Sequence, residues 1–397
     1  MESYFKDIKK MVIKNKISLF SLLIFLPLFI SFSSSFDIIF NKTGGFGHHG
    51  YLYLFTMPIS FVLLTTLFFK KGLIKWFINN KNCFYYLFFL LYCLILLIFG
   101  KLYNSHFSSS VIRVSFLLIL FLYLIEIFQW KFYLIFLKNE NKNKIYLENK
   151  YVIYPLTFIL FSSVVSSILI FKDAFIFTDL VIYNYDQYFG FIFVILSGIV
   201  IQSNASIFLK ILIYVLSFMV CHWGANYTAI LLLLVLFIWN IVSLGKIKNS
   251  LYIFISILLV FCVPIYYILI YQLYEPGMFV SNFETRATSM ILFFNGLEIS
   301  HLFFPFMRGT RGFFVDAHSQ FLEIFMSLGL IGLIFFYGVI LLKLRKIGAR
   351  FPDVGFSLMI VIFVGGLVVN TTMHPYLIVS VAYILAFYYK LSSSVKE

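Results

Sequence analysis

Charged residues are scarce in this chain. Asp, Glu, Lys and Arg make up 12% of its 397 residues, whereas hydrophobic residues make up 62%, including 53 phenylalanines. So few polar side chains cannot cover a folded chain of this size in water. Apolar stretches close to the ~20 residues that span a bilayer recur along the sequence. The composition therefore excludes a soluble protein and predicts an all-α integral membrane protein.

Several chemical signatures are also missing. The four cysteines have no CxxC spacing, so they indicate neither a disulfide framework nor a metal site. No GxxxxGK[ST] loop is present, which argues against a nucleotide-driven pump, and no HExxH zinc-protease motif is present. The net charge of +14 sits largely in short loops, where it sets topology instead of binding nucleic acid. We predict no cofactor, no metal and no nucleic-acid partner.

Twelve apolar runs predict about 12 transmembrane helices. Their approximate bounds are 17–35, 51–69, 84–100, 111–129, 151–170, 187–201, 207–223, 226–244, 251–272, 320–342, 354–372 and 375–390. Lysines precede the first run and no small-residue cleavage site follows it, so we interpret it as a retained helix. Only residues 202–206 separate the sixth and seventh runs, which makes that division the least secure.

The lysines and arginines predict the orientation of these helices. With the N-terminus inside, 23 of the 30 Lys and Arg residues fall on the inner side. The seven outer ones are Lys42, Lys101, Arg113, Lys172, Arg286, Arg308 and Arg311. Because positive charge accumulates on the cytoplasmic side, both termini are predicted to be cytoplasmic. The chain then divides into a membrane bundle of about nine spans (1–272), one large outer loop (273–319) and about three C-terminal spans (320–397).

The outer loop concentrates ionisable side chains in an otherwise apolar chain. Arg286, Arg308 and Arg311 suit a diphosphate, because a guanidinium matches phosphate oxygens with two parallel donors. The alternative is that these arginines bind lipid headgroups or pair with the loop's own acids.

His318 stands at the predicted outer edge of the next span. An imidazole there titrates near neutral pH and can accept a proton from a sugar hydroxyl. The alternative is an ordinary solvated residue at the membrane boundary. Glu323 follows in the same span, where it either serves as a second acid or base or hydrogen-bonds to a neighbouring span.

Residues 316–332 resemble the signature of the O-antigen ligase/polymerase superfamily. In that family a large periplasmic loop ends in a histidine, here His318, and the next helix carries a Gly-Leu-x-Gly pattern, here 329–332. Residues 285–296 are similar to the family's arginine-led loop helix, with Arg286 in the arginine's place. The family also has an arginine at the outer start of an earlier span. Tyr227, beside Asn226, stands there in this chain, so Arg308 or Arg311 is expected to supply the missing charge.

The resemblance implies a GT-C-like fold and a glycosyltransferase in the bacterial inner membrane. Its large periplasmic loop is expected to contain short helices. The donor is an undecaprenyl-diphosphate-linked glycan, and transfer inverts the anomeric carbon without a metal. Arg286 and His318 are the implied catalytic residues. The implied substrate-binding residues are Arg308, Arg311, Glu284, Asp316, Tyr227 and His374. Donor and acceptor glycans and membrane lipids are the expected partners, with a chain-length regulator as a further candidate.

Three activities fit these features. An O-antigen polymerase joins repeat units on the lipid diphosphate, and the departure at Tyr227 favours it. A ligase would move the finished glycan to lipid A-core with the same residues. A flippase of lipid-linked oligosaccharides belongs to another class and is disfavoured, because charged groups collect on one face of this chain instead of along its spans.

Overall fold

The computed structural model describes eight continuous parts of the chain and a few isolated positions. The continuous parts are residues 82–103, 105–138, 144–171, 189–223, 226–242, 297–305, 319–368 and 375–393. The isolated positions lie within 18–25, 265–272 and 288–295. The predicted spans at 17–35, 51–69 and 251–272 fall almost wholly outside the described residues.

The described residues are helical almost throughout, and none of them lies in a strand. The first helices are α1 (Asn82–Tyr103), α2 (Ser105–Lys138), α3 (Lys144–Glu148), a π-helical turn (Asn149–Ile153) and α4 (Tyr154–Phe171). Next come α5 (Phe189–Gln202), α6 (Ile207–Trp223), α7 (Tyr227–Val242) and the short α8 (Ile299–Phe303). The last are α9 (Gln320–Gly348), α10 (Pro352–Met359), a π-helical turn (Ile360–Gly365), α11 (Gly366–Val368) and α12 (Pro375–Ser393).

Three of these helices, α1, α2 and α9, are long and apolar enough to cross a membrane. Shorter apolar helices cover 190–202, 207–222, 227–241, 352–365 and 377–393. The all-α class predicted from the sequence is thus seen throughout the described residues, and the apolar helices indicate a membrane protein. The division between the sixth and seventh runs is also confirmed, since α5 and α6 are separate helices. Their connection is held by the Ser203 hydroxyl, which donates to the Val200 carbonyl at 2.7 Å.

The helix α9 is not continuous, although apolar residues run along most of its length. Gly329 has φ 65° and ψ −170°, a conformation that is essentially restricted to glycine. Gln320 Nε2 donates to Tyr337 Oη at 2.7 Å, and the rings of Phe321 and Tyr337 stack at 4.2 Å. In a straight helix, residues 17 positions apart would be about 25 Å apart. The chain therefore reverses sharply at Gly329.

This reversal divides α9 into two pieces. Residues 320–328 form a re-entrant piece that folds back on the long piece, residues 330–348. At 1.5 Å per residue the long piece measures about 28 Å, close to the ~30 Å hydrocarbon core. The span predicted at 320–342 is therefore displaced: its first nine residues belong to the re-entrant piece. Hydropathy does not show this break, because the residues around Gly329 are apolar on both sides.

Contacts at two successive positions along both helices show that α2 and the long piece of α9 run in the same direction. Phe121 contacts Phe336 with ring centroids 6.0 Å apart, and Glu126 pairs with Lys343 at 2.9 Å. Likewise α12 runs parallel to α2, since Phe128 contacts Tyr383 and Phe136 contacts Phe387 further along both helices. The C-terminal ends of α2, α9 and α12 consequently meet at one end of the molecule.

We call this the lysine-rich end, defined by Lys131, Lys343, Lys346 and Lys390. Both Lys343 and Lys346 lie over the ring of Tyr389, at 4.8 and 4.6 Å from its centre. Lys390 lies 4.6 Å over Tyr133, and Lys131 lies 5.5 Å over Phe20. Aromatic rings attract ammonium groups through their negative faces. Four lysine side chains on helices therefore lie against aromatic rings at the end opposite Gly329.

Candidate functional site

Most of the residues predicted for the site lie outside the described residues. These are Arg286, His318, Arg308, Arg311, Glu284, Asp316 and His374. The described parts next to them in the sequence are the re-entrant piece of α9, which begins two residues after His318, and the loop segment 297–305.

The start of the re-entrant piece is fixed by buried polar contacts. Ser319 and Gln320 are both fully buried. The Ser319 hydroxyl donates to the carbonyl of Gly366 at 3.4 Å, and its own carbonyl accepts the Glu323 amide at 3.0 Å. Together with the bond from Gln320 to Tyr337, these contacts hold the backbone next to His318 against α11 and the long piece of α9.

The break at Gly329 is held in place from two sides. A chain break frees backbone carbonyls, and within a membrane such groups need partners inside the protein. The Tyr92 hydroxyl of α1 donates to the Leu328 carbonyl at 2.6 Å and supplies one. On the other side, the Leu302 carbonyl lies 2.7 Å from where a Cβ on Gly329 would be. The loop segment 297–305 is thus docked on the break at a position that only glycine fits.

Gly332 is required by the same turn. A Cβ on Gly332 would lie 2.3 Å from Leu328 Cβ, which is closer than real contacts allow. The Gly-Leu-x-Gly pattern therefore has a structural explanation in this chain: both glycines allow the helix to reverse. The family resemblance pointed to the pattern, whereas its role in folding back the re-entrant piece was not predicted.

The docked loop segment carries a histidine that the sequence analysis did not single out. His301 lies on α8, with its side chain only 10% exposed. Its Nδ1 accepts the amide of Glu298 at 3.1 Å, so the neutral ring carries its proton on Nε2. The Glu298 carboxylate lies 3.9 Å from that Nε2. Glu298 and His301 form a reciprocal cap of this short helix, with the three-residue spacing of a capping box but without its usual residue types, which leaves little signal in the sequence.

Tyr227 and Asn226 have different roles from each other. Asn226 is buried, and its Oδ1 accepts the amide of Ala229 at 2.9 Å, so it caps the start of α7. Tyr227 follows it and is 72% exposed. Capping explains Asn226 without any substrate, while Tyr227 is exposed, and its predicted correspondence to the family's arginine stays a prediction.

Glu323 is paired with a neighbouring helix, as one of its two predicted roles required. Its Oε2 accepts from Arg113 Nη2 of α2 at 3.2 Å. The carboxylate side chain is 12% exposed and the arginine side chain 65% exposed. An arginine therefore lies beside the re-entrant piece that follows His318, although the sequence analysis had only counted Arg113 among the outer charges.

A second ion pair lies near the lysine-rich end. Lys343 Nζ donates to Glu126 Oε1 at 2.9 Å, and the Tyr86 hydroxyl donates to the same oxygen at 2.7 Å. Both charged side chains are at most 5% exposed. The sequence analysis placed Glu126 near the inner end of its span without identifying its partner, which is 217 residues away.

The described acids, histidines and cysteines do not form the grouping that a metal ion needs. Within the described residues, no three His, Cys, Asp or Glu side chains come together as a metal site would require. Comparisons of the chain with protein-family models, with curated proteins and with solved structures give no match. The family resemblance of residues 316–332 therefore stays a prediction from the sequence.

Proposed function

We propose that this protein polymerises undecaprenyl-diphosphate-linked oligosaccharide repeat units into O-antigen or a related surface polysaccharide. The observation that supports this most is the break in α9. The re-entrant piece lies within the stretch 316–332 that carries the family resemblance, and the loop segment 297–305 docks on its turn at Gly329. Irregular backbone at membrane depth is tolerated where it is buried in protein or lines a water-filled cavity. Such a break is a reasonable place for a polar substrate attached to a lipid.

The proposed reaction is an inverting, metal-independent glycosyl transfer at the periplasmic face. An acceptor hydroxyl attacks the anomeric carbon as its bond to the lipid diphosphate breaks. His318 takes the proton of that hydroxyl. Arg286, helped by Arg308 or Arg311, neutralises the charge on the leaving diphosphate. Glu284, Asp316, Tyr227 and His374 would bind glycan or diphosphate.

The proposed topology has about 12 spans in a bacterial inner membrane, with both termini in the cytoplasm. The lysine-rich end supports it, because lysines from three parallel helices gather there. By the positive-inside rule this end faces the cytoplasm. The break at Gly329, at the other end of the long piece of α9, then lies towards the periplasm.

A lipid-linked oligosaccharide flippase or transporter is the second candidate. The pair between Glu126 and Lys343 favours it, since buried ionisable residues within spans often mark transport pathways. An O-antigen ligase uses the same parts as a polymerase, and the glycan products separate the two.

Alanine substitution of Arg286 and of His318, one at a time, tests the proposal in cells lacking the chromosomal copy. The surface polysaccharide is resolved by size, and membrane levels of each variant are measured. If the protein is a polymerase, each variant should lose the long chains and retain a single repeat unit on lipid A-core. Loss of every unit from lipid A-core indicates the ligase. Lys101→Ala, which also removes an outer charge, is the control. An unchanged ladder at normal protein levels would refute the catalytic assignment.

A further inference from the structure

An arginine at the end of α2 nearer Gly329 is held by the re-entrant piece. Arg113 Nη2 donates to Glu323 Oε2 at 3.2 Å, and the Arg113 side chain is 65% exposed. A guanidinium has five N–H donors in a rigid plane. One donor engages the carboxylate and orients that plane, while the exposed edge stays accessible to a ligand. Glu323 itself is nearly buried, so its position is fixed by the protein.

Arg113 is well placed for the reaction proposed above. Glu323 is the fourth residue of the re-entrant piece, about 4.5 Å along the helix from Gln320, where that piece begins. The other described arginines, Arg345 and Arg350, lie at the C-terminal end of α9, near the lysine-rich end. Arg113 is therefore the one arginine among the described residues that lies beside the re-entrant piece.

Stability gives only a modest reason for this pair. Water screens it on the arginine side, where the Arg113 side chain is 65% exposed, and ordering a long side chain costs entropy, so the pair is expected to contribute about 0–1 kcal/mol. A guanidinium with one edge fixed by a carboxylate is, in contrast, well suited to receive two phosphate oxygens. The geometry is that of an oriented anion-binding group near a membrane surface.

We propose that Arg113 binds phosphate oxygens of the lipid-linked diphosphate and that Glu323 is its positioning residue. This proposal rests on the proposed function, since it names a further residue of the same site. A phospholipid headgroup offers the same phosphate chemistry, so the experiment has to separate the two ligands.

The test measures lipid binding to the purified full-length protein in phosphatidylcholine nanodiscs. The probes are undecaprenyl diphosphate and, separately, phosphatidylglycerol. Arg113→Ala is expected to weaken binding of undecaprenyl diphosphate by about 10- to 100-fold, the value of one charge-assisted contact. Arg113→Lys keeps the charge but not the planar fork, so a smaller loss is expected. Lys101→Ala removes an exposed charge from the adjacent end of α1 and should leave binding unchanged.

Glu323→Gln tests the positioning role. It should weaken undecaprenyl diphosphate binding, and combining it with Arg113→Ala should add no further loss. A purely structural role would instead lower the melting temperature and add to the loss from Arg113→Ala.

Each remaining outcome contradicts a different statement. If the wild type binds undecaprenyl diphosphate and Arg113→Ala binds it equally well, the role of Arg113 is refuted while the proposed function stands. If the wild type does not bind it, the proposed function and this proposal both fail. If Arg113→Ala weakens phosphatidylglycerol binding by the same factor, Arg113 is a headgroup contact and the diphosphate assignment is wrong.

Discussion

Gly329 is the residue on which the form of α9 depends most directly. Its backbone conformation costs other residues of order 1–3 kcal/mol, and a Cβ would meet the Leu302 carbonyl at 2.7 Å. Gly329→Ala is therefore expected to displace the docked loop. In the polysaccharide assay this variant should lose long chains at normal membrane levels, and its melting temperature in detergent should fall.

Gly338 provides the matched control on the same helix. Nothing lies within 4 Å of a Cβ added there, so Gly338→Ala should leave both the ladder and the melting temperature close to those of the wild type. Equal effects of the two substitutions would mean that the break at Gly329 has no special role.

Glu148 gives a pH-dependent prediction at the residue scale. Burial raises the pKa of its carboxyl above the ordinary value, and the hydrogen bond from Tyr388 Oη, at 2.6 Å, lowers it only in part. The folded state therefore holds this proton more tightly than the unfolded chain. The resulting stabilisation is complete below the unfolded pKa, about 4.3, and is lost as the pH rises through the folded pKa.

Glu148→Gln keeps an acceptor for Tyr388 and cannot ionise. We expect its melting temperature to match the wild type at about pH 4 and to exceed it at about pH 7. A variant that is less stable than the wild type at about pH 7 would show that the ionised carboxylate stabilises the fold.

At the scale of helices, the sequence predicted most of the described helices, but it did not predict the break within α9 or the contacts between helices. Long apolar runs identified α1, α2 and α4, because a helix satisfies its own backbone hydrogen bonds in lipid. The reversal at Gly329 has no hydropathy signal, since it depends on one φ angle and on the Leu302 carbonyl from a separate segment. Pairs such as Arg113 with Glu323 join distant parts of the chain, which a single sequence does not reveal.

The buried pair between α2 and α9 gives a prediction at this scale. Removing one partner leaves a buried charge without compensation, which costs about 3–5 kcal/mol. Glu126→Gln and Lys343→Met are each expected to lower the melting temperature strongly, whereas the double variant should recover much of the loss. A thermal-unfolding series in detergent measures the coupling between the two residues.

The pair of Arg113 and Glu323, which is exposed on its arginine side, provides the comparison for the coupling energy of the buried pair. Its arginine is 65% exposed, so the same cycle should give at most about 1 kcal/mol. If the two cycles give equal coupling, burial of the Glu126–Lys343 pair is not what makes it important. If the Glu126–Lys343 double variant is active in the polysaccharide assay, the pair has only a structural role. The proposal of a lipid-linked oligosaccharide transporter then loses the observation that favours it.

For the whole molecule, the two ends differ in charge chemistry. One end holds four lysines on aromatic rings, and the other holds the break, the docked loop and Arg113. Charge counting predicted an uneven distribution of lysine and arginine between the two sides of the membrane, and this stays a prediction. It did not predict the re-entrant piece, since residues 320–328 are mostly apolar and fit a straight span equally well.

The orientation of these ends is tested by labelling in intact cells. Asn295 is exposed in the loop 273–319, which is predicted to lie outside, and Arg345 is exposed near the lysine-rich end. In a background lacking the native cysteines, Asn295→Cys should react with a membrane-impermeant maleimide from outside, because the loop is predicted to be periplasmic. Arg345→Cys should react only after the inner membrane is permeabilised. The reverse pattern would place the lysine-rich end outside and would put Arg113, the docked loop and any lipid-linked donor bound there on the cytoplasmic face, where the proposed periplasmic transfer could not take place.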